Sequence, residues 1–74
     1  SVSAQEVDPL TEYQVYKQFG YESKAAESLA GYLNGLNDGA PEKLVHELVG
    51  LSLRVGNIDM LTDALERHGS VLSE

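Results

Sequence analysis

The sequence predicts an all-α fold of two antiparallel helix pairs, and three observations predict it. Apolar residues recur at three- and four-residue spacing through four segments. Glycine, proline and asparagine separate those segments where turns are needed. β-Branched residues are scattered and nowhere alternate over a useful length, so no strand is expected.

The first helix is expected over 9–19. Asp8 offers a carboxylate to an orphan backbone N–H, and Pro9 suits a first helical turn. Tyr13, Val15, Tyr16 and Phe19 form its broad apolar face, and Gly20 stops it. The second helix, over 22–35, carries Ala25, Ala26, Leu29, Leu33 and Leu36 on one stripe. Asn34-Gly35 and Asn37-Asp38-Gly39 break it into a loop. Asp38 is the expected cap of the third helix, over 41–55, with Pro41 in its first turn. Its stripe is Leu44, Leu48, Leu51 and Val55, flanked by Val45 and Val49. Gly56-Asn57 turns the chain, with Asn57 as cap of a fourth helix over 58–68. Ile58, Leu61, Leu65 and Leu72 share one side of that last segment, while Arg67 and His68 suit the negative pole of its dipole.

The turns repeat. Gly20 and Gly56 lie 36 residues apart, each followed after five residues by an apolar residue (Ala25, Leu61) and after four more by a leucine (Leu29, Leu65). This is a weak internal repeat of helix–turn–helix units, near the 34-residue period of tetratricopeptide repeats. The extra length fits the 34–39 loop. Residues 1–7 read as the end of a linker or an artificial edge of the chain, and 8–74 as one tetratricopeptide-like helical domain.

Composition narrows the function. Twelve acidic residues against five basic give a formal charge of −7, which opposes nucleic acid and anionic lipid and steers basic partners inward. A solubilising acidic surface is the simpler reading. With no cysteine, neither a disulfide framework nor a thiolate zinc site is available. No apolar run is long enough to span a membrane, so no direct membrane contact is expected, and the first residues lack the pattern of a signal peptide. A 74-residue chain buries only about 60% of the surface its unfolded form exposes, so its stability margin is thin.

No catalytic, cofactor-binding or metal-binding residue is expected. His46 and His68 fall on different helices, and His46 lies opposite its helix's apolar stripe. No serine sits in a nucleophile elbow. Calcium-loop spacing from Asn34 fails, because Leu36 stands where an oxygen ligand is required. Gly31, Gly35 and Gly39 follow no strand and precede no Gly-Lys-Ser/Thr, so they cradle no phosphate. Tyr13, Tyr16 and Tyr32 are expected in the core with their hydroxyls at the surface, and Tyr21 exposed.

The run Asp8-Pro9-Leu10-Thr11-Glu12-Tyr13-Gln14-Val15-Tyr16-Lys17-Gln18-Phe19-Gly20 resembles a helix-pair region of FimV-family proteins. Its distinctive part is Asp8-Pro9-Leu10 with Glu12, Val15-Tyr16 and Gly20; Tyr13-Gln14 stand where the family has Ala-Asp. Lys24 to Leu29 resembles the family's second helix, and Lys43 to Leu65 the following pair, so the likeness covers about residues 8–69. It implies a cytoplasmic repeat segment of a bacterial inner-membrane protein. Such proteins organise cell poles and support type IV pilus assembly and twitching motility by recruiting other proteins.

A non-catalytic protein-binding scaffold is therefore the expected function, with partner proteins as ligands. Helical-repeat pairs present the first helix of each unit on a concave surface. Aligning the two turns puts Leu10, Gln14, Lys17 and Gln18 there, with His46, Glu47, Gly50, Leu53 and Arg54. Lys17 and Arg54 are expected to hold a partner's carboxylate beside Gln14 and Gln18, unless Arg54 merely serves the end of its own helix. Leu53 lies off its stripe, as Leu10 does, and is either a packing irregularity or a contact residue. One rival is self-association into a homo-oligomer through an end face, since two repeats are fewer than usual. Another is a regulatory helical domain appended to an enzyme.

Overall fold

The computed structural model describes residues 8–36 and 39–72. They form four helices, α1 (Pro9–Gln18), α2 (Glu22–Asn34), α3 (Glu42–Val55) and α4 (Ile58–His68), closed by one 3-10 turn, η1 (Gly69–Leu72). No strand occurs among the described residues. The expected helices are all present, with bounds differing by no more than a residue.

The two intra-pair turns are built alike. After α1 the Gly20 N–H bonds to the Lys17 carbonyl at 3.1 Å and the Tyr21 N–H to the Tyr16 carbonyl at 2.9 Å. After α3 the Gly56 N–H bonds to Leu53 at 3.2 Å and the Asn57 N–H to Ser52 at 2.9 Å. Both are Schellman closures, which require a left-handed residue after the helix. Gly20 (φ 80°) and Gly56 (φ 73°) supply it. The repeat seen in sequence is thus a repeat of backbone geometry.

The helix starts differ from one another. Asn57 caps α4 as expected, its side-chain oxygen accepting from the Met60 N–H at 3.0 Å. Asp8 contributes its carbonyl to Glu12 N–H, whereas its carboxylate takes the Thr11 hydroxyl at 3.2 Å and no backbone donor. At α3 it is Pro41, not Asp38, that occupies the cap position, in extended backbone. Its carbonyl accepts from Leu44 and Val45, both at 3.0 Å. The expected cap Asp38 lies outside the described residues.

Each helix packs on the next, α1 on α2, α2 on α3 and α3 on α4, and η1 folds back onto α3 and α4. No Cα of α1 comes within 8 Å of one in α3, so these two meet only through long side chains. The core is Tyr13, Ala25, Ala26, Leu29, Leu33, Ala40, Val45, Leu48, Leu51 and Ala64. Ala25 and Ala26 are fully buried, and their small side chains let α2 approach its neighbours closely. Ser52 is buried too, its hydroxyl donating to the Leu48 carbonyl one turn back at 2.8 Å. The deep face of α3 therefore runs through Val45, Leu48, Leu51 and Ser52, rotated from the expected stripe, with Leu44 and Val55 at its margin.

Five residues expected in apolar stripes are exposed. Val15 and Phe19 of the first segment lie open, Phe19 at 67%. Ile58 (61%) and Leu65 (45%) of α4 lie open as well, and only Ala64 of that helix is fully inside. Leu36, beyond the end of α2, is at the surface, and Leu72 belongs to η1 and is half-buried. Tyr21 is exposed as expected, with the Tyr16 and Phe19 rings 6.4 and 6.3 Å from its own.

Leu29 and Leu65 hold equivalent places after their turns but differ in cover. Leu29→Ala should cost about 2–5 kcal/mol, as for other fully buried leucines. Leu65→Ala should stay within about 0.5–1 kcal/mol, as for surface positions. Urea denaturation of both variants at low protein concentration measures this, and equal costs would refute the assigned core.

Candidate protein-binding face

The face formed by α1 and α3 carries the residues singled out in the sequence. Gln14, Lys17 and Gln18 of α1 are exposed, and Leu10 is half-buried against the core. On α3, His46, Leu53 and Arg54 are exposed, whereas Glu47 and Gly50 are half-buried. Repeat geometry explains the placement. α1 packs on α2, and α3 on α2 and α4, which leaves most of these residues off the packed sides.

One cluster bridges α1 to α3. The Tyr13 hydroxyl donates to the Glu47 carboxylate at 2.7 Å, and the Lys17 ammonium reaches the same oxygen at 2.9 Å. Lys17 also donates to the Tyr13 oxygen at 3.3 Å and lies 5.6 Å from the centre of its ring. Glu47 thus holds two donors from the neighbouring helix. The Tyr13 hydroxyl and the Lys17 ammonium beside it lower its pKa below the ordinary carboxylate value. Burial raises the Tyr13 pKa, and its bond to Glu47 raises it further. The hydrogen bond to Glu47 raises that of Lys17. Glutamate at 47 and tyrosine at 13 are separated by 34 residues, so neither helix alone signals the pairing.

The second cation is also engaged. Arg54 donates through Nε to the Glu22 carboxylate at 3.0 Å, joining the end of α3 to the start of α2. Arg54 stands in the last turn of α3, as its expected place at the helix end requires, and its guanidinium is paired with Glu22. No hydrogen bond joins Lys17 or Arg54 to either glutamine among the described residues. What the face offers is Leu53, 59% exposed and next in sequence to Arg54, whose charge Glu22 already pairs. His46 is exposed 3.5 Å from Glu42, on its own helix. His68 lies 3.1 Å from the Asn34 side-chain oxygen and ties α4 to α2.

Among the described residues no group of three or more acidic or imidazole side chains gathers as a metal site would need. No helix there is long and apolar enough to cross a membrane. Comparison of the chain with protein-family models, curated proteins and solved structures finds no match.

The Glu47 cluster gives the fold a pH signature. Glu47, with its lowered pKa, stabilises the folded state above the ordinary glutamate value of about 4.3, and this is lost as pH falls through the folded value. Tyr13 and Lys17, with raised pKa values, contribute below their ordinary values of about 10, and that is lost as pH rises through the folded ones. Glu47→Gln should therefore be destabilised most near neutrality, with its deficit against the parent narrowing toward both extremes. Thermal melts of both proteins across pH measure the gap. A deficit that stays constant from acid to neutral would contradict the cluster.

Proposed function

We propose that the chain is a non-catalytic protein-interaction segment whose α1–α3 face receives an amphipathic helix or extended peptide. The carrying observation is Leu53, a large apolar side chain 59% exposed on α3, the helix whose Glu47 and Arg54 pair with Lys17 and Glu22. A large apolar side chain left open among polar surface residues fits a contact residue with a polar rim. Because both cations already have carboxylates, the contact is apolar at its centre. The net charge of −7 favours a partner whose remaining surface is basic.

The biological setting is that implied by the FimV-family resemblance: a cytoplasmic repeat of a polar inner-membrane scaffold that recruits proteins for type IV pilus assembly and twitching motility. Support comes from Asp8-Pro9-Leu10, Glu12, Val15-Tyr16 and Gly20, together with the repeated pair geometry. Deleting residues 8–72 in frame from the native gene should reduce twitching zones and disperse the pole-localised partner.

Leu53→Ser in the isolated chain should weaken binding to a partner identified by in-cell crosslinking at least tenfold, with the helical circular-dichroism signal retained. Arg54→Ala should weaken it less, since Arg54 acts through Glu22 and its packing. Unchanged affinity in both folded variants would remove this face from the interaction.

A further inference from the structure

The exposed apolar residues at the two ends of the domain match one another in register. At the internal joint, α3 turns one side toward the first pair. Glu47 on that side reaches α1, Arg54 reaches α2, and Leu51 and Val55 lie along the same side. Counted back from Gly56 and Gly20, their places in α1 are held by Val15 and Phe19. No helix precedes α1 among the described residues, and both are exposed.

The other end is the counterpart. At the joint, α2 supplies Glu22, which pairs with Arg54, and Leu29, which is wholly buried. The same places in α4 are Ile58 and Leu65, both exposed. Leu53 holds the place of Lys17, which crosses from α1 to α3. Each end therefore displays one half of the interface that already exists inside the molecule.

We infer that a second copy of this chain docks head to tail, with Val15 and Phe19 of one copy covering Ile58 and Leu65 of the next. Charge selects this occupant. The internal joint uses four charged residues, Lys17, Glu47, Glu22 and Arg54. Shifted by one unit, their places fall on Leu53, Thr11, Ile58 and Gln18, none of which is charged. A chain of net charge −7 repels its own copies over most approaches, yet this register brings no carboxylate against a carboxylate at those places. The contact is heterologous, so it does not close on itself and extends copy by copy. It shares Leu53 and Gln18 with the α1–α3 face, whereas Phe19 and Leu65, which lie outside that face, test the stacking alone.

Sedimentation velocity of the intact chain, from low micromolar to millimolar, should show mass rising with concentration past a dimer. Phe19→Glu removes one end and Leu65→Glu the other, and each alone should sediment as a monomer. Mixed in equal amounts, they should form a one-to-one pair that grows no further, because one intact end of each kind remains. Lys24→Gln lowers the net charge by the same amount on the exposed side of α2, away from both ends, and should associate like the parent. Circular dichroism confirms folding, and serine replaces glutamate at either position if a variant melts. A parent that stays monomeric throughout, or a mixture that does not pair, would overturn the proposal. So would association lost in Leu65→Glu but kept in Phe19→Glu, since that pattern belongs to a symmetric α4–α4 dimer.

Discussion

The fold depends on two left-handed glycines. At Gly20 and Gly56 the chain reverses within one residue past the helix end, and the same pair of backbone hydrogen bonds closes both turns. A side chain at positive φ strains the backbone even where space is open, and nothing crowds either position. Conformation rather than room is therefore the reason for glycine here. Because the turns are identical, the helices that follow them leave at corresponding angles. That shared geometry gives residues 36 apart equivalent surroundings, as far as a neighbour exists to provide them.

The core that this arrangement builds is small. Its largest wholly buried side chains are Leu29, Leu33, Leu48, Leu51 and Val45, and much of the remainder is alanine. Small residues between helices shorten the interaxial distance and raise contact density, but each removes little apolar surface from water. Polar ties add to the apolar contact: Tyr13 and Lys17 to Glu47, Arg54 to Glu22, Ser28 to Glu12 at 3.4 Å. Exposed pairs of this kind contribute little individually. The Tyr13 bond differs because its ring is buried, so losing Glu47 would leave the hydroxyl proton without its acceptor while Lys17 still donates to the oxygen.

The fold was legible because its signals are local. Helix periodicity, the Gly-Asn turn and the Asn57 cap each act within a few residues. The misplaced residues failed for one shared reason. Periodicity in Phe19, Val15, Ile58 and Leu65 reports an apolar face, but whether anything covers that face is a property of the neighbouring element. Counting only large apolar residues also hid Ser52 and Ala64, which are buried because helices meet closely there. In the binding face, Leu53 was legible as a residue off its stripe. The partners of Lys17 and Arg54 were not, since Glu47 lies 30 residues from Lys17 and Glu22 lies 32 from Arg54.

Polar and apolar surfaces are thus sorted by direction. The side faces carry the Lys17–Glu47 and Arg54–Glu22 pairs, and α4 also exposes Asp59 and Glu66. The two ends carry Val15 and Phe19 or Ile58 and Leu65. The places that the joint would use at the two ends carry no charge, so stacking in that register sets no like charges against each other there. The α1–α3 face lies across that axis, with Leu53 set near its trailing edge because it follows from the same register as Lys17. A second copy stacked behind α4 would continue the α1–α3 face with its own α1. Stacking would then lengthen the face while setting Leu53 at each joint, as helical repeats convert a small unit into an extended groove.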